Sequence, residues 1–467
     1  MQNAPEAVVE KKAAARLPNG PPLRRGIVEN ARFFASFYFD PLGFIEQRFA
    51  TYGDVYFVPD AKQGLFVFRH PDHLRELLST QASKFRKEHS AFDRLSLVLG
   101  EGLLTTDGDV WKRQRRLVQP GFTKTKLAEY SSVFVEESLK TTRELDGAAG
   151  AGKERDMGQV LMELTLRAVC RTLFGHDAAS DAETVGRAMQ SLQKTLSRPE
   201  QIPDWLPIPG AGGSPKKAIA SLDAVVYGLI RARREELSRG AHPSGNLLDA
   251  LLTAIDAEGN GDGLTEKEIR DQLMTLFLAG HETTSHALTW TLYLLSQNPA
   301  AREAVIAETR SVLGDRPATM DDLARLPLSL QAIKEALRLF PPAYLLARRA
   351  SEDVEIAGYR MAKGTEAIAW IYMTQRDPRW FDDPTAFRLE RFTEANERAM
   401  HPFAFVPFGA GPRACIGKAF AMLEAHLMLV TLVQRFRFSL APRQVVVPQP
   451  RITMHPKNGL RMRLERL

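Results

Sequence analysis

The chain has 467 residues, 44% of them hydrophobic and 25% charged, the balance of an ordinary globular protein. Two cysteines are too few for a disulfide framework or a four-cysteine zinc site, which points to a reducing compartment. The net charge of +6 (62 basic minus 56 acidic) is diffuse, and no basic tract with interleaved aromatics argues for a nucleic-acid partner.

The first residues, "MQNAPEAVVEKKAAARLPNGPPLRR", lack the apolar core of a signal peptide. No stretch of about 18 apolar residues follows anywhere, so no transmembrane anchor is expected. Residues 1–26 read as a flexible tail. Short β signals ("DVYFVP", "GLFVFRH") then alternate with helical runs, and "DPLGFIEQRFATYG" ends in a glycine stop. From Asp109 to about Arg239 the pattern is mainly helical, broken by a Pro- and Gly-rich loop, Ser197–Lys217, whose open or closed state the sequence does not fix. Long helices dominate from Thr265 to about Trp370, interrupted by turns and strand near "DVEIAGYRM". Strands return at "PRITMHPKNGLRMRL". Length alone suggests two or three domains, yet no linker or repeat marks a boundary.

Two segments imitate known sites. "GAAGAGKE" (Gly147–Glu154) has phosphate-loop spacing, but Glu154 stands where Ser or Thr must reach magnesium, and no strand precedes it. "DAEGNGDG" (Asp256–Gly263) resembles part of a calcium loop, but its twelfth position is Lys267 instead of a bidentate glutamate. Both read as surface turns.

"LTEKEIRDQLMTLFLAGHETTSHALTWTLYLLSQNP" opens with a capping box, Thr265 and Glu268, and stops at Pro299. A helix between them spans about 48 Å. Its centre is unusual, because "AGHETT" sets Glu282, Thr283 and Thr284 among apolar runs. Gly280 lets something approach the backbone, and Thr283 can bond back to the Ala279 carbonyl. The segment is either a solvated polar stripe or a buried acid and alcohol moving protons at an apolar pocket, with His281 as a further candidate. In "SLQAIKEALRLFPP", Glu335 and Arg338 lie at i and i+3 on one face, a spacing common in surface pairs. Arg391 follows in "DDPTAFRLERF".

The last motif is "PFGAGPRACIGKAF" (Pro407–Phe420). Glycines surround Cys415, and the run after it has helical apolar spacing. A cysteine at a helix N-terminus favours its thiolate, and amide donors tune a metal-bound sulfur. Arg413 can hold an anion. Three readings stand: an inert cysteine, a nucleophile, or a thiolate ligand to a metal whose other ligands come from a macrocycle. The shortage of cysteines suits the last best.

Together these motifs resemble the cytochrome P450 family across residues 27–467. Phe408, Gly411, Arg413, Cys415 and Gly417 fill its Phe-x-x-Gly-x-Arg-x-Cys-x-Gly haem loop. "AGHETT" is similar to its oxygen-activating helix, and Glu335, Arg338 and Arg391 to its buried ion network. Leu389 replaces a frequent proline.

The resemblance implies a mainly α fold with small β-sheets in a single domain over 27–467. It implies haem b (iron protoporphyrin IX) ligated by Cys415. Trp111, Arg115, Arg348 and Arg413 would contact propionates, with Gly280, Phe408, Gly411 and Gly417 beside the cofactor. Glu282 and Thr283 would manage protons. Leu276, Ala279, Ala343, Tyr344, Leu345 and Thr453 would line the substrate pocket, with 92–104 capping it. The implied activity inserts one oxygen atom of O2 into a hydrophobic fatty acid, terpenoid or steroid. The alternatives are a peroxide-driven peroxygenase and a non-catalytic haem carrier. Too little chain follows Cys415 for a fused reductase, so ferredoxin or flavodoxin with its reductase is expected. Lys418, Arg413, Arg113 and Arg116 suggest a basic docking face. The expected setting is a monomer in a bacterial cytoplasm. Cys170 is expected to be a buried apolar residue.

Overall fold

The computed structural model describes residues 17–23, 26–59, 64–87, 90–149, 153–175, 215–243, 245–257, 259 and 261–467. Its helices are, in order, α1 (Ile27–Phe39), α2 (Pro41–Tyr52), α3 (Pro71–Arg75), α4 (Ser90–Leu99), α5 (Gly108–Val118), α6 (Lys124–Ala149), α7 (Met157–Phe174), α8 (Pro215–Ser238), α9 (Leu247–Thr253), α10 (Glu266–Gln297), α11 (Pro299–Leu313), α12 (Pro327–Leu339), α13 (Ile371–Thr374), α14 (Glu394–Ala399) and α15 (Lys418–Arg435). No described helix is long and apolar enough to cross a membrane.

The 32-residue α10 is the axis of the helical part. Its capping box forms as the sequence predicts: the Thr265 amide donates to Glu268 Oε2 at 2.8 Å and the Glu268 amide to Thr265 Oγ1 at 3.2 Å. Both orphan donors are satisfied, so the helix starts at a fixed residue. Helices α7, α8, α12 and α15 pack along it. Leu273, Leu288 and Leu292 of α10 join Leu161, Leu164 and Cys170 of α7, and Leu427 to Val430 of α15, in one large core.

A five-stranded sheet forms a smaller lobe, in the order β1 (Val55–Val58), β2 (Leu65–Phe68), β8 (Glu366–Ala369), β5 (Leu346–Ala350) and β3 (Phe85–Arg86). Its only parallel pair is β2 with β8. Three strands, β4 (Glu154–Asp156), β12 (Arg461–Arg466) and β9 (Phe436–Leu440), make a second sheet. The strands β6 (Val354–Ile356) and β7 (Tyr359–Met361) form a hairpin where turns and strand were expected, at "DVEIAGYRM". A last hairpin, β10 (Pro448–Pro450) with β11 (Met454–Pro456), is pinned to α10 by Trp290 Nε1, which donates to the Met454 carbonyl at 3.1 Å.

Three expectations change. The tail is shorter than residues 1–26, because Asn19 accepts from the Phe57 amide at 3.2 Å and so extends the edge of β1. Residues 1–16 lie outside the described residues. So do 176–214, which include 197–214 of the expected loop; its last residues, 215–217, already belong to α8. Asp256 of the calcium-like turn is buried, and Arg116 grips its carboxylate at 3.1 Å.

The Glu335–Arg338 pair is core architecture. Both side chains have 0% exposure, and two bonds of 2.6 and 2.7 Å join them. Arg338 spends its remaining donors on the Gln375, Pro384 and Ala386 carbonyls. Glu335 also accepts from Arg391 Nε at 3.2 Å and the Arg388 amide at 3.0 Å. The pair is thus satisfied by hydrogen bonds on both sides, which such burial requires. Replacing Glu335 with Ala should cost about 3–5 kcal/mol in urea unfolding, because Arg338 would stay buried and unpaired. Removing the exposed Arg398–Glu394 pair should change stability by less than about 0.5 kcal/mol.

Candidate active site

The cysteine loop is shaped by its own backbone. The Cys415 amide donates to the Phe408 carbonyl at 2.9 Å, and Ala414 N to Gly411 O at 3.1 Å. Gly417 caps α15, and its N–H points at the Cys415 sulfur. Burial raises the thiol pKa, while that amide, Arg115, Lys87 and Lys418 lower it. Phe408 is half-buried against the helical core. At φ 66°, the missing Cβ of Gly411 would lie 2.0 Å from the Leu78 carbonyl oxygen, so the glycine lets that main chain approach.

Beside this loop, cations converge. Arg348 is buried at the edge of β5, and its guanidinium donates to its neighbour's carbonyl, Ala347 O, at 2.8 Å. Arg349 points elsewhere, to Glu366 at 2.8 Å, which singles out Arg348. Arg413 lies over the Trp111 ring, 3.9 Å from its centroid, and pairs with Asp107. Its Nη1 is buried without a partner among the described residues. Arg115 reaches the Ala414 carbonyl at 3.1 Å.

Sequence reasoning missed Lys87. Its backbone N–H donates to Asp107 at 2.6 Å and its ammonium to Leu104 O at 3.3 Å. Burial first, then Arg348 and Arg413, push its pKa down to about 7. Burial also takes Arg348 and Arg413 down to about 10. Arg348, Arg413 and Lys87 all face Asp107, and such a cluster of cations fits a ligand with two carboxylates at one edge. Nothing around "SKFRKEHSAF" marks Lys87 in the sequence; only folding brings it there.

Mid-way along α10, Ala279 is exposed while Leu276, Gly280 and Thr283 are half-buried. These positions share one helical face, so this face borders an internal space. Thr283 bonds back to the Ala279 carbonyl at 2.6 Å, as its position predicts. Gly280 is different: its missing Cβ points at Val169 of α7, 3.4 Å away, so it serves helix packing. His281 is buried and bonded to the Phe277 carbonyl at 2.8 Å, with its pKa lowered by burial.

Glu282 is buried and turns toward the β10–β11 hairpin, where Thr453 Oγ1 donates to Oε1 at 2.5 Å. Thr453, expected as a pocket wall, has its hydroxyl committed there. Ala343 and Leu345 are half-buried after the Pro341–Pro342 break, and Leu345 packs with Trp370. Tyr344 donates its hydroxyl to the Arg451 carbonyl at 2.7 Å. The segment expected to cap the site is tied to α10: Glu101 N donates to Asp271 at 2.9 Å and Leu103 N to Gln272 at 3.0 Å.

The expected basic docking face is mostly spent internally. Arg113 pairs with Glu268 at 2.7 Å, Arg116 with Asp256, and Arg413 turns inward. Of the four residues, Arg116 and Lys418 stay exposed, Arg116 with its guanidinium held on Asp256.

A second acid was also missed. Glu424, nine residues after Cys415 in the apolar face of α15, is fully buried, and neither carboxyl oxygen has a hydrogen-bond partner among the described residues. Thr284 lies near it, but donates to Gly280 O at 3.1 Å. Burial pushes the Glu424 pKa up to about 8. The fold therefore prefers Glu424 protonated, while the unfolded chain releases that proton near pH 4.3. Stability should fall as pH rises from about 4.3 to 8 and then level, by on the order of 5 kcal/mol at 1.36 kcal/mol per unit. Glu424→Gln should flatten that slope in urea unfolding measured across pH; an unchanged slope would remove the assignment.

Comparisons with known proteins agree with this geometry. The family model described as Cytochrome P450 matches residues 21–461. The chain is 34% identical over 419 residues to Cytochrome P450 4V2 of Homo sapiens, covering 84% of this chain and 78% of that protein. It is 31% identical over 419 residues to cyclooctatin synthase of Streptomyces melanosporofaciens, covering 89% of each. The crystal structure of cytochrome P450DA heme domain superposes with a TM-score of 0.79 at 27% identity, covering 97% of both chains. With the cysteine loop, the cation cluster and the buried ion network in place, the chain belongs to the cytochrome P450 family of haem monooxygenases.

Proposed function

We propose that this cytochrome P450 oxidises a hydrophobic small molecule of the fatty acid, terpenoid or steroid class. Its electrons would come from a separate ferredoxin or flavodoxin with its reductase. The observation that carries the substrate class is the bared face of α10: Leu276 and Ala279 open on the site without a fixed charge, and Ala343 and Leu345 add none.

When bound, haem b supplies the redox chemistry that inserts one oxygen atom of O2 into the substrate. The chain's own part is positioning, electrostatics and proton control. Cys415 supplies the thiolate ligand, and the Gly417 amide tempers its electron donation. Arg348, Arg413, Arg115 and Lys87 hold the propionates, with Trp111 fixing the Arg413 plane. The apolar walls keep water from the site. Thr283 holds its hydroxyl at the bared face, and Glu282 lies behind it as the acid that resupplies protons. A peroxide-driven enzyme would not need that pair, so the peroxygenase reading is not favoured. Lys418 is the exposed cation beside the cysteine loop and would meet an acidic partner.

The reduced, carbon monoxide-bound protein should show the red-shifted Soret band of thiolate ligation. An imidazole-type band in fresh protein would remove Cys415 as the ligand. Thr283→Ala should lower product formed per electron several-fold while substrate still shifts the haem spectrum. Unchanged coupling would leave Thr283 no proton role.

A further inference from the structure

We propose that His286 and Thr453 form a proton-delivery chain to Glu282, entering α10 from the β10–β11 hairpin. The proposal rests on the reading that Glu282 handles protons, and extends it to where those protons come from.

Glu282 and His286 lie one turn apart on α10, and Thr453 stands just before β11 between them. All three are buried. Thr453 Oγ1 is 2.5 Å from Glu282 Oε1 and 3.1 Å from His286 Nδ1. A hydroxyl has one proton, and a carboxylate can only accept. Thr453 therefore donates to Glu282, and the second bond must run from His286 Nδ1–H to Oγ1. This polarity points inward along the chain, toward the acid.

A proton can move without leaving charge on the ring. The hydroxyl proton passes to Glu282 Oε1, the Nδ1 proton replaces it on Oγ1, and Nε2 takes up a new one. The imidazole ends neutral in its other tautomer, one proton has been delivered, and the tautomer must revert before the next. Burial keeps His286 neutral, its pKa far below the usual value, with His455 and His281 adding to the effect. Such a ring conducts protons and does not store them.

His455 provides the outer end. Its ring stacks on His286 with centroids 5.2 Å apart, and it is half-buried, so solvent meets the cluster there. Its Nδ1 lies 3.2 Å from the Thr453 carbonyl. The other titratable or charged groups around the cluster are His281 on α10 and Arg451 in the hairpin turn. A simple latch between hairpin and helix would have the same contacts, so the test must separate conduction from anchoring.

The test uses haem-loaded protein with Thr453→Val, His286→Leu, His286→Asn and Glu282→Gln. In the reduced, carbon monoxide-bound state, 15N NMR should show His286 protonated at Nδ1, and Thr453→Val should lose that preference. After a pH drop, the infrared carboxyl band missing in Glu282→Gln should gain its proton at least about tenfold more slowly in Thr453→Val and His286→Leu. Asparagine can still donate to Thr453 but cannot exchange tautomers. His286→Asn should therefore keep the hairpin in place and stay slow. Wild-type proton uptake in His286→Asn or Thr453→Val would overturn the chain. With dodecanoic acid as the probe substrate, product per electron separates the two readings. If Glu282→Gln stays fully coupled, the proton role of Glu282 itself fails. If only Glu282→Gln is uncoupled, the delivery chain alone fails.

Discussion

A carboxylate and a guanidinium with no exposure to water impose more order than any other contact in this protein. Glu335 and Arg338 cannot be left half-paired, so everything they touch must arrive in register. The segment 384–391 is drawn in by its carbonyls and Arg391. Gln375 follows, bonding the Leu337 and Arg338 carbonyls through its amide nitrogen. The other end of the same side chain accepts from the Val406 amide at 3.0 Å, and the Val406 carbonyl holds Gly409 N at 2.9 Å. A buried ion pair on one helix thereby fixes the start of the cysteine loop some seventy residues later. A pair often read as surface decoration thus helps to position the cysteine loop.

The site itself is organised by charge in a poorly solvated place. Burial holds the Cys415 thiol above its ordinary pKa, and the Gly417 amide and neighbouring cations oppose that shift. Arg348, Arg413 and Lys87 repel one another and share Asp107. Arranged this way, the chain pre-organises the ends of the cofactor plane before any chemistry starts. The same economy explains the losses elsewhere, since Arg113 and Arg116 are consumed in holding the turn at Asp256.

Helix α10 divides its faces between structure and chemistry. The capping box and the leucine core anchor its ends, and Gly280 lets α7 approach. One middle face is left bare, and there Thr283 diverts its hydroxyl to a helix carbonyl. Glu282 leaves that face and joins the hairpin, so acid and alcohol are adjacent in sequence but directed to different surroundings.

Much of this was legible in the sequence, because it depends on local rules. Capping boxes, glycine stops, proline ends and the spacing around Cys415 act within a few residues, and each appears where the pattern predicts. The mainly α fold with small sheets was implied by the resemblance those motifs carry. What the sequence could not show was direction and partnership across distance. The missing Cβ atoms of Gly280 and Gly411 point at Val169 and at the Leu78 carbonyl, contacts that no local pattern announces. Lys87 and Glu424 carry no local signal, since their altered pKa values come from burial by residues far along the chain. Thr453 meets Glu282 only because a hairpin 171 positions away folds back on α10. The sequence by itself determined which elements form and which cysteine stands in the glycine-rich loop before the last long helix. The tertiary structure decided which charges face one another, because desolvation and hydrogen bonding act between neighbours in space.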